Sequence, residues 1–452
     1  MASAAVVVCG AGMAGIATAY HLAVRHGVSG VVLIDEREPL TLTSDKGTQG
    51  YRNWWPGPDA TMLRYMTRSL DLLEEMADES GNAFRLNRRG YAFVTADDQC
   101  VERLRGTARE VAAFGMGPLR EHETLAEYEP APAEGYQDQP MGADLLLGES
   151  CQGAFAGLAP TVQAVLHVRR AGWMNAVALG SWMLKRALAA GAVLWKDRVT
   201  GFRTDGGTLR ALRLASGGSI ETDRLVIAAG PALPDLGRLL GLELPVFHEL
   251  HAKLTLRDPR RLVDRAAPFL IWSDPVRLQW SGAEQRQHER HAERRRLLEP
   301  FPGGVHVRPV DGPHGDELYL IWTFHVEERP FVWPPSFDPH YAEIVLRGAA
   351  CMVPGLSAYF GMADRGLVDG GYYCKTRENR PLAGPLSVPG VYVLGALSGF
   401  GIMGAHAGAD LVAAHVTGAQ LPDYARWFLP SRYEDPGYRA EMTRWGALAG
   451  QL

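Results

Sequence analysis

The sequence predicts an α/β protein in which a Rossmann-like nucleotide-binding domain is interleaved with a second domain built on a mixed antiparallel sheet. Three observations point there. The chain opens on an apolar strand, a G-x-G-x-x-G turn and a helix. Near its other end a buried strand, VYVLG, runs into a second glycine-rich helix start, SGFGIMGAHAG. Between the two, over residues 246–364, the composition shifts toward Trp, Pro and His. At 452 residues the chain is long enough for two domains with substantial cores.

The opening unit carries the most information. Val6, Val7 and Val8 form a continuous β-branched run suited to a buried parallel strand, and Met13, Ile16, Ala17, Tyr20 and Val24 then repeat at helical spacing. Gly10 permits the tight turn between them. Gly12 lets a pyrophosphate approach the backbone, and Gly15 allows close helix–strand packing, with the phosphates at the positive end of the helix. The next strand, VVLID, ends at Asp35, roughly 20 residues beyond the turn, where a carboxylate accepts hydrogen bonds from an adenosine ribose.

The polar, glycine-containing stretch 40–62 then reads as a functional loop beside the nucleotide. Met62, Met66, Leu70, Leu73 and Ala77 mark a helix, and Tyr91–Val94 an apolar strand. Residues 97–160 hold a helix near 101–114 and a loop-rich, proline-containing segment. A helix with Val177, Ser181, Leu184 and Leu188 on one face stops at Gly191. Strands over 192–203 and 209–214, with a turn at 216–219, form a hairpin insertion, and the strand Arg224–Ala228 then ends abruptly at Gly230 and Pro231. In the substrate domain the strand candidates are Ala252–Leu256, Phe269–Trp272 and Leu318–Phe324. The charged run 281–300 reads as a solvated helix, with a mobile lid as the alternative. The nucleotide domain is thus assigned residues 1–94, 161–245 and 365–452, and the substrate domain residues 95–160 and 246–364.

Composition narrows the function classes. A net charge of −5 with no basic block excludes a nucleic-acid footprint and favours small-molecule chemistry. No apolar run reaches membrane-spanning length. The apolar start lacks the basic flank of a signal peptide, so a cytoplasmic protein without a membrane partner is expected. Five cysteines, odd in number and in no C-x-x-C pair, predict free thiols. His248, His251, His325 and His406 lack metal-ligand spacing, and no metal is expected.

Taken together, the opening turn, RLVIAAGPALPDL, NRPLAGP and VYVLGALSGFGIMGAHAGADLVAAHV resemble the D-amino acid oxidase superfamily of FAD enzymes, which includes sarcosine oxidase, glycine oxidase and dimethylglycine dehydrogenase. The resemblance runs from residue 5 to about 418 and is thin across 95–160 and 280–315. It implies FAD as cofactor. It also implies oxidation of the carbon beside a nitrogen in an amino acid or a secondary or tertiary amine, with dioxygen or another acceptor taking the electrons. Two alternatives stay open: oxidation of a hydroxy acid or polyol, with His325 or His251 as base, and a flavoprotein subunit that passes electrons to a partner.

The resemblance assigns residues by position. Gly10, Gly12, Gly15 and Asp35 become pyrophosphate and ribose contacts, Arg37 an adenosine neighbour, Val199 the backbone contact for adenine, and Ala229 and Gly230 the second dinucleotide turn. Ser398, Gly399, Gly401, Ile402 and Met403 fall beside the flavin's pyrimidine edge, where a helix N-terminus stabilises negative charge. Gly371 stands where sarcosine oxidases carry the flavin-linked cysteine, and Gln49 or its neighbours stand where dimethylglycine dehydrogenases carry a flavin-linked histidine. Non-covalent FAD is therefore implied, and Cys374 becomes a wall residue. Arg52 matches the arginine that clamps a substrate carboxylate, whereas Met403 replaces the second clamp, a lysine. The lysine credited with activating dioxygen has no counterpart near Trp322–His325. Lys46 and Lys253 are the lysines expected to face the cavity, with Lys46 beside a phosphate or the flavin ring. Trp54, Trp55, Trp272, Trp322 and Tyr372 are candidates for an aromatic pocket, although tryptophan in strands is more often core.

Overall fold

The computed structural model describes residues 2–310 and 315–445, and two large sheets organise them. The first has six strands, in the order Val193–Lys196, Val31–Asp35, Val6–Cys9, Leu225–Ile227, Val391–Gly395 and Leu382–Pro385. All neighbours are parallel except the last pair. The valine run at its centre needs no alternation because both faces are covered. Val6 and Val8 pack toward the helices Met13–Tyr20 and Gly401–Thr417, and Val7 and Cys9 toward Leu209, Leu212 and Ile220 of the hairpin insertion.

The expected run of strand over 192–203 is divided. Val193–Lys196 joins the six-stranded sheet, whereas Val199–Asp205 pairs with Thr208–Leu214 in a separate four-stranded sheet. The break falls at Asp197, whose carboxylate accepts from the backbone of Arg198 and Ser216 and so supports a turn.

The second sheet has nine strands: Leu367–Lys375, Phe247–Arg257, Glu317–Trp322, Val305–Val310, Phe269–Trp272, Tyr91–Thr95, Ala164–Val168, Ala143–Leu147 and Leu119–His122. Most neighbours are antiparallel, with two parallel pairs. Three of these strands differ from the expected domain division, because Tyr91–Thr95, Ala164–Val168 and Leu367–Lys375 fall in segments assigned to the nucleotide domain. Apolar pattern identifies a strand but not the sheet it joins, which is fixed by hydrogen bonds to residues distant in sequence. Residues 119–147 supply two strands where the sequence suggested mainly loop.

Strand alternation gives the nine-stranded sheet two unlike faces. Leu270, Trp272, Leu318, Leu320 and Trp322 pack with Ile344, Val345 and Ala349 of the helix Tyr341–Met352. Ile271 and Ile321 point the other way, toward the nucleotide domain. The charged run forms a helix, Gly282–Arg290, with a Ser281–Glu284 capping box, followed by a short 3-10 segment, Ala292–Leu298. Arg347 ties it down: its guanidinium lies 3.9 Å from the Trp280 ring and 2.6 Å from Glu284. The run is an anchored, solvated surface.

Candidate functional site

A cavity of about 630 Å³ follows the carboxyl ends of the six-stranded sheet, where open α/β sheets bind ligands. Its first wall is the glycine turn. Gly10 has φ +111°, and a Cβ there would lie 2.4 Å from the Ala228 carbonyl oxygen; a Cβ on Gly15 would lie 1.7 Å from the Gly10 carbonyl oxygen. Both positions therefore require glycine. Asp35 braces this turn, with Oδ2 accepting from the Ala11 backbone N–H at 2.6 Å and Oδ1 from that of Arg37 at 2.9 Å. A carboxylate offers about four lone pairs, so acceptor capacity remains toward the cavity that Asp35 lines. Ser44, from the loop after the second strand, reaches the helix start and accepts from the Met13 N–H at 2.9 Å.

The cavity brings together most of the residues assigned to the cofactor. Gly10, Gly12, Asp35, Arg37, Val199, Ala229, Gly230, Gly371, Ser398, Gly399, Gly401 and Ile402 line it, as do Lys46, Tyr372 and Cys374. Gly15 lies behind the turn. Arg37 stacks over the Trp333 ring at 5.3 Å. At the opposite end the helix Gly401–Thr417 presents its N-terminus, and the approach to it is strained, with Ala396 and Ser398 at φ 54° and 47°. Left-handed backbone at two non-glycine residues costs about 1–3 kcal/mol each, and such strain collects at ligand sites. Two helix N-termini, a glycine cradle and an acid at the second strand end fit the expected FAD.

Several predicted residues lie elsewhere. Met403 is buried and turned toward Arg52, its Sδ accepting from the Arg52 N–H at 3.4 Å. Trp54 packs on Phe93 and Trp55 on Phe400, both inside the core. Trp272 and Trp322 are on the helix-covered face of the nine-stranded sheet, so the aromatic-pocket reading is corrected for Trp54, Trp272 and Trp322, whereas Trp55 keeps a contact with Arg52. Strand parity explains the last two: each is adjacent in sequence to an isoleucine that faces the other way. His325 packs at a tilt against Phe324 at 4.2 Å with Nε2 3.5 Å from Asp338, outside the cavity wall. Lys46 does line the cavity, paired there with Asp45 at 2.9 Å and with Asp369 at 3.5 Å.

Arg52 occupies the strand Gly50–Arg52, which pairs with Ala171–Trp173. Its guanidinium lies 4.9 Å from the Trp55 ring and 5.6 Å from the Tyr91 ring. Burial pushes its pKa down, and the groups opposing this are the phenols of Tyr91 and Tyr373. It has no carboxylate partner among the described residues.

Sequence reasoning missed Glu249, Tyr373, Lys375, Tyr91, Ser44 and Phe331. One signal was available. In HELHAKL the residues Glu249, His251 and Lys253 alternate with apolar ones, the pattern of a strand with one polar face. His251, Tyr373 and Phe331 all line the cavity.

Comparison with known proteins agrees with this geometry. Mitochondrial sarcosine dehydrogenases of Mus musculus and Homo sapiens are each 28% identical over 257 residues, which is 55% of this chain and 25% of theirs. The chain thus aligns with a quarter of those relatives' length. The L-proline dehydrogenase structure from P. horikoshii superposes with a TM-score of 0.73 at 19% identity, covering 96% of this chain and 98% of that one. Glycine oxidase from Geobacillus kaustophilus gives 0.72 at 16% identity, covering 96% and 99%. At such identities the likeness is one of fold. The family model for DAO, FAD dependent oxidoreductase, matches residues 5–415, and with the dinucleotide cavity already built from its residues, the chain belongs to that family and is an FAD-dependent oxidoreductase.

Proposed function

We propose that this enzyme oxidises the carbon beside the nitrogen of an amino acid or a secondary or tertiary amine, giving an imine that water hydrolyses, and that Arg52 anchors a substrate carboxylate. The observation that carries this reading is the Arg52 guanidinium, walled by Trp55 and Tyr91 without an acid among the described residues. Taking a charge out of water is costly unless a partner compensates it, and an arriving carboxylate meets the guanidinium with two parallel hydrogen bonds. When bound, FAD supplies the hydride acceptor. The chain's own residues bind and orient: Met403 fixes the backbone of Arg52, and Phe331 and Tyr372 exclude water from the cavity they line.

FAD is held without a covalent bond in this reading. Gly371 offers no nucleophile, and the Cys374 thiol is buried and pushed up to about 12. Acid precipitation should leave the flavin in the supernatant as FAD; flavin in the pellet overturns the point. All five cysteines are free thiols, which supports a reducing, cytoplasmic setting.

The test is an anaerobic screen of amines, amino acids and hydroxy acids for bleaching of the flavin, followed by admission of air to read the acceptor. Carboxylated amines should bleach it. Arg52→Lys keeps the charge but loses the planar fork, so it should slow bleaching at limiting substrate by roughly tenfold or more with FAD content intact. Bleaching by hydroxy acids alone, or an Arg52→Lys variant that matches wild type, overturns the reading.

A further inference from the structure

A three-residue chain that the proposed function leaves unused reaches the cavity wall at His251. His251 lines the cavity from the strand Phe247–Arg257, its ring packed at a tilt against Tyr373 with a centroid distance of 4.1 Å. Its Nε2 is 2.9 Å from Glu249 Oε2, and Lys375 Nζ donates to both Glu249 oxygens at 3.0 and 3.1 Å. The side chains of His251, Glu249 and Lys375 are only 3%, 6% and 5% exposed.

This arrangement fixes a tautomer. Although burial raises the Glu249 carboxyl, hydrogen bonds from His251 and the Lys375 charge outweigh it and hold the group below the usual range. An ionised carboxylate only accepts, so Nε2 carries the hydrogen and the neutral ring keeps its lone pair on Nδ1. Nδ1 has no hydrogen-bond partner among the described residues, and His251 is in the cavity wall.

We infer that His251 is the base that takes a proton from the substrate's ammonium, and that Glu249 is the positioning residue that keeps Nδ1 open to receive it. The inference rests on the amine reading. An ammonium nitrogen has no lone pair to support departure of a hydride from the neighbouring carbon. One N–H bond therefore breaks first, its proton bonding to Nδ1, and the freed lone pair becomes the second bond of the iminium as the hydride leaves. The proton returns to solvent after turnover. Position agrees with this order: Tyr373 packs against His251 and feels the charges of both Arg52 and Glu249, so it stands near both the carboxylate anchor and the base.

The charged and titratable groups facing His251 are Glu249 on its own strand, Tyr373 and Lys375 on the neighbouring strand, and His325 beyond the strand Glu317–Trp322. Burial, followed by the charges of Lys375 and His325, lowers the His251 pKa against the opposing pull of Glu249, so the ring is neutral at pH 7.

Two measurements test the inference on the FAD-loaded enzyme. The first needs no substrate: ¹⁵N NMR of labelled histidine should show His251 as the Nε2–H tautomer in wild type, and a loss of that preference in Glu249→Gln. An Nδ1–H tautomer in wild type overturns the inference whatever the substrate. The second is the pH profile of anaerobic flavin reduction by the best amine. In His251→Gln, reduction at neutral pH should fall roughly 100-fold and recover as the amine loses its own proton, at about pH 8 to 10. Glu249→Gln should show a smaller fall of the same shape, with FAD content unchanged. A fall equal at every pH marks a merely structural role and overturns the inference. If wild type is bleached by no amine, the amine reading fails at that earlier step, and the NMR result still decides the tautomer.

Discussion

The two faces of the nine-stranded sheet are made by the same strands yet differ in kind. One carries Leu270, Trp272, Leu318, Leu320 and Trp322 against the helix Tyr341–Met352, all buried in one apolar cluster. The other carries Glu249, His251 and Lys253, with Tyr319 beneath Lys253 and Tyr373 beside His251. A strand presents successive residues to opposite sides, so a single stretch such as residues 317–322 contributes at once to core and to cavity. The stability of this half of the molecule therefore rests on one set of positions and its chemistry on the alternate set, one residue away.

The largest way to break that comparison is Trp322→Ala. Trp322 is 2% exposed, and truncating a buried aromatic costs about 3–5 kcal/mol. Denaturant unfolding should show that loss, while the relative rates among substrates stay unchanged. A change of substrate preference in the folded variant would return Trp322 to the pocket.

Lys253 tests the polar face. Burial, followed by the charge of Arg308 among others, brings its pKa down to about 8 despite the opposing Asp369. Its Nζ donates to the Gly47 carbonyl at 3.4 Å and lies 4.4 Å from the Tyr319 ring. Below about pH 8 folded and unfolded chains both hold the proton. Between about 8 and the unperturbed value of about 10.4 only the unfolded chain holds it, so this group makes stability rise with pH through that window. Lys253→Met should remove the rise and be more stable than wild type at pH 7, by about 3 kcal/mol at the limit. The check is denaturant unfolding of both proteins at pH 7 and pH 10; an unchanged pH dependence sets the lysine outside the buried face.

A smaller effect sharpens the contrast from a residue on neither face. Asp35→Ala should weaken FAD binding by about 1.5–3 kcal/mol, the range for hydrogen bonds to a charged group, and leave the pH profile of reduction in place. Titration of the apoprotein with FAD measures it, and unchanged affinity would restrict Asp35 to bracing the turn at Ala11 and Arg37.

The sequence by itself determined the opening unit of the nucleotide half, because its signals are local. The valine strand, Gly10, Gly15 and Asp35 lie within one βαβ unit, where the positive φ of Gly10, the contact of Gly15 with the Gly10 carbonyl and the bonds of Asp35 to Ala11 and Arg37 call for those residue types. The family likewise followed from motifs in order along the chain. Tertiary structure alone decided which sheet Tyr91–Thr95, Ala164–Val168 and Leu367–Lys375 join, since pairing is set by partners far away in sequence. It also decided that Trp272 and Trp322 are core and that Lys375 reaches Glu249 across 126 positions of chain. The physical reason is the same in each case. Residue type and spacing state what a side chain can do, but the side of a strand it faces, and the charge it meets there, depend on register with a neighbour that pattern alone does not name.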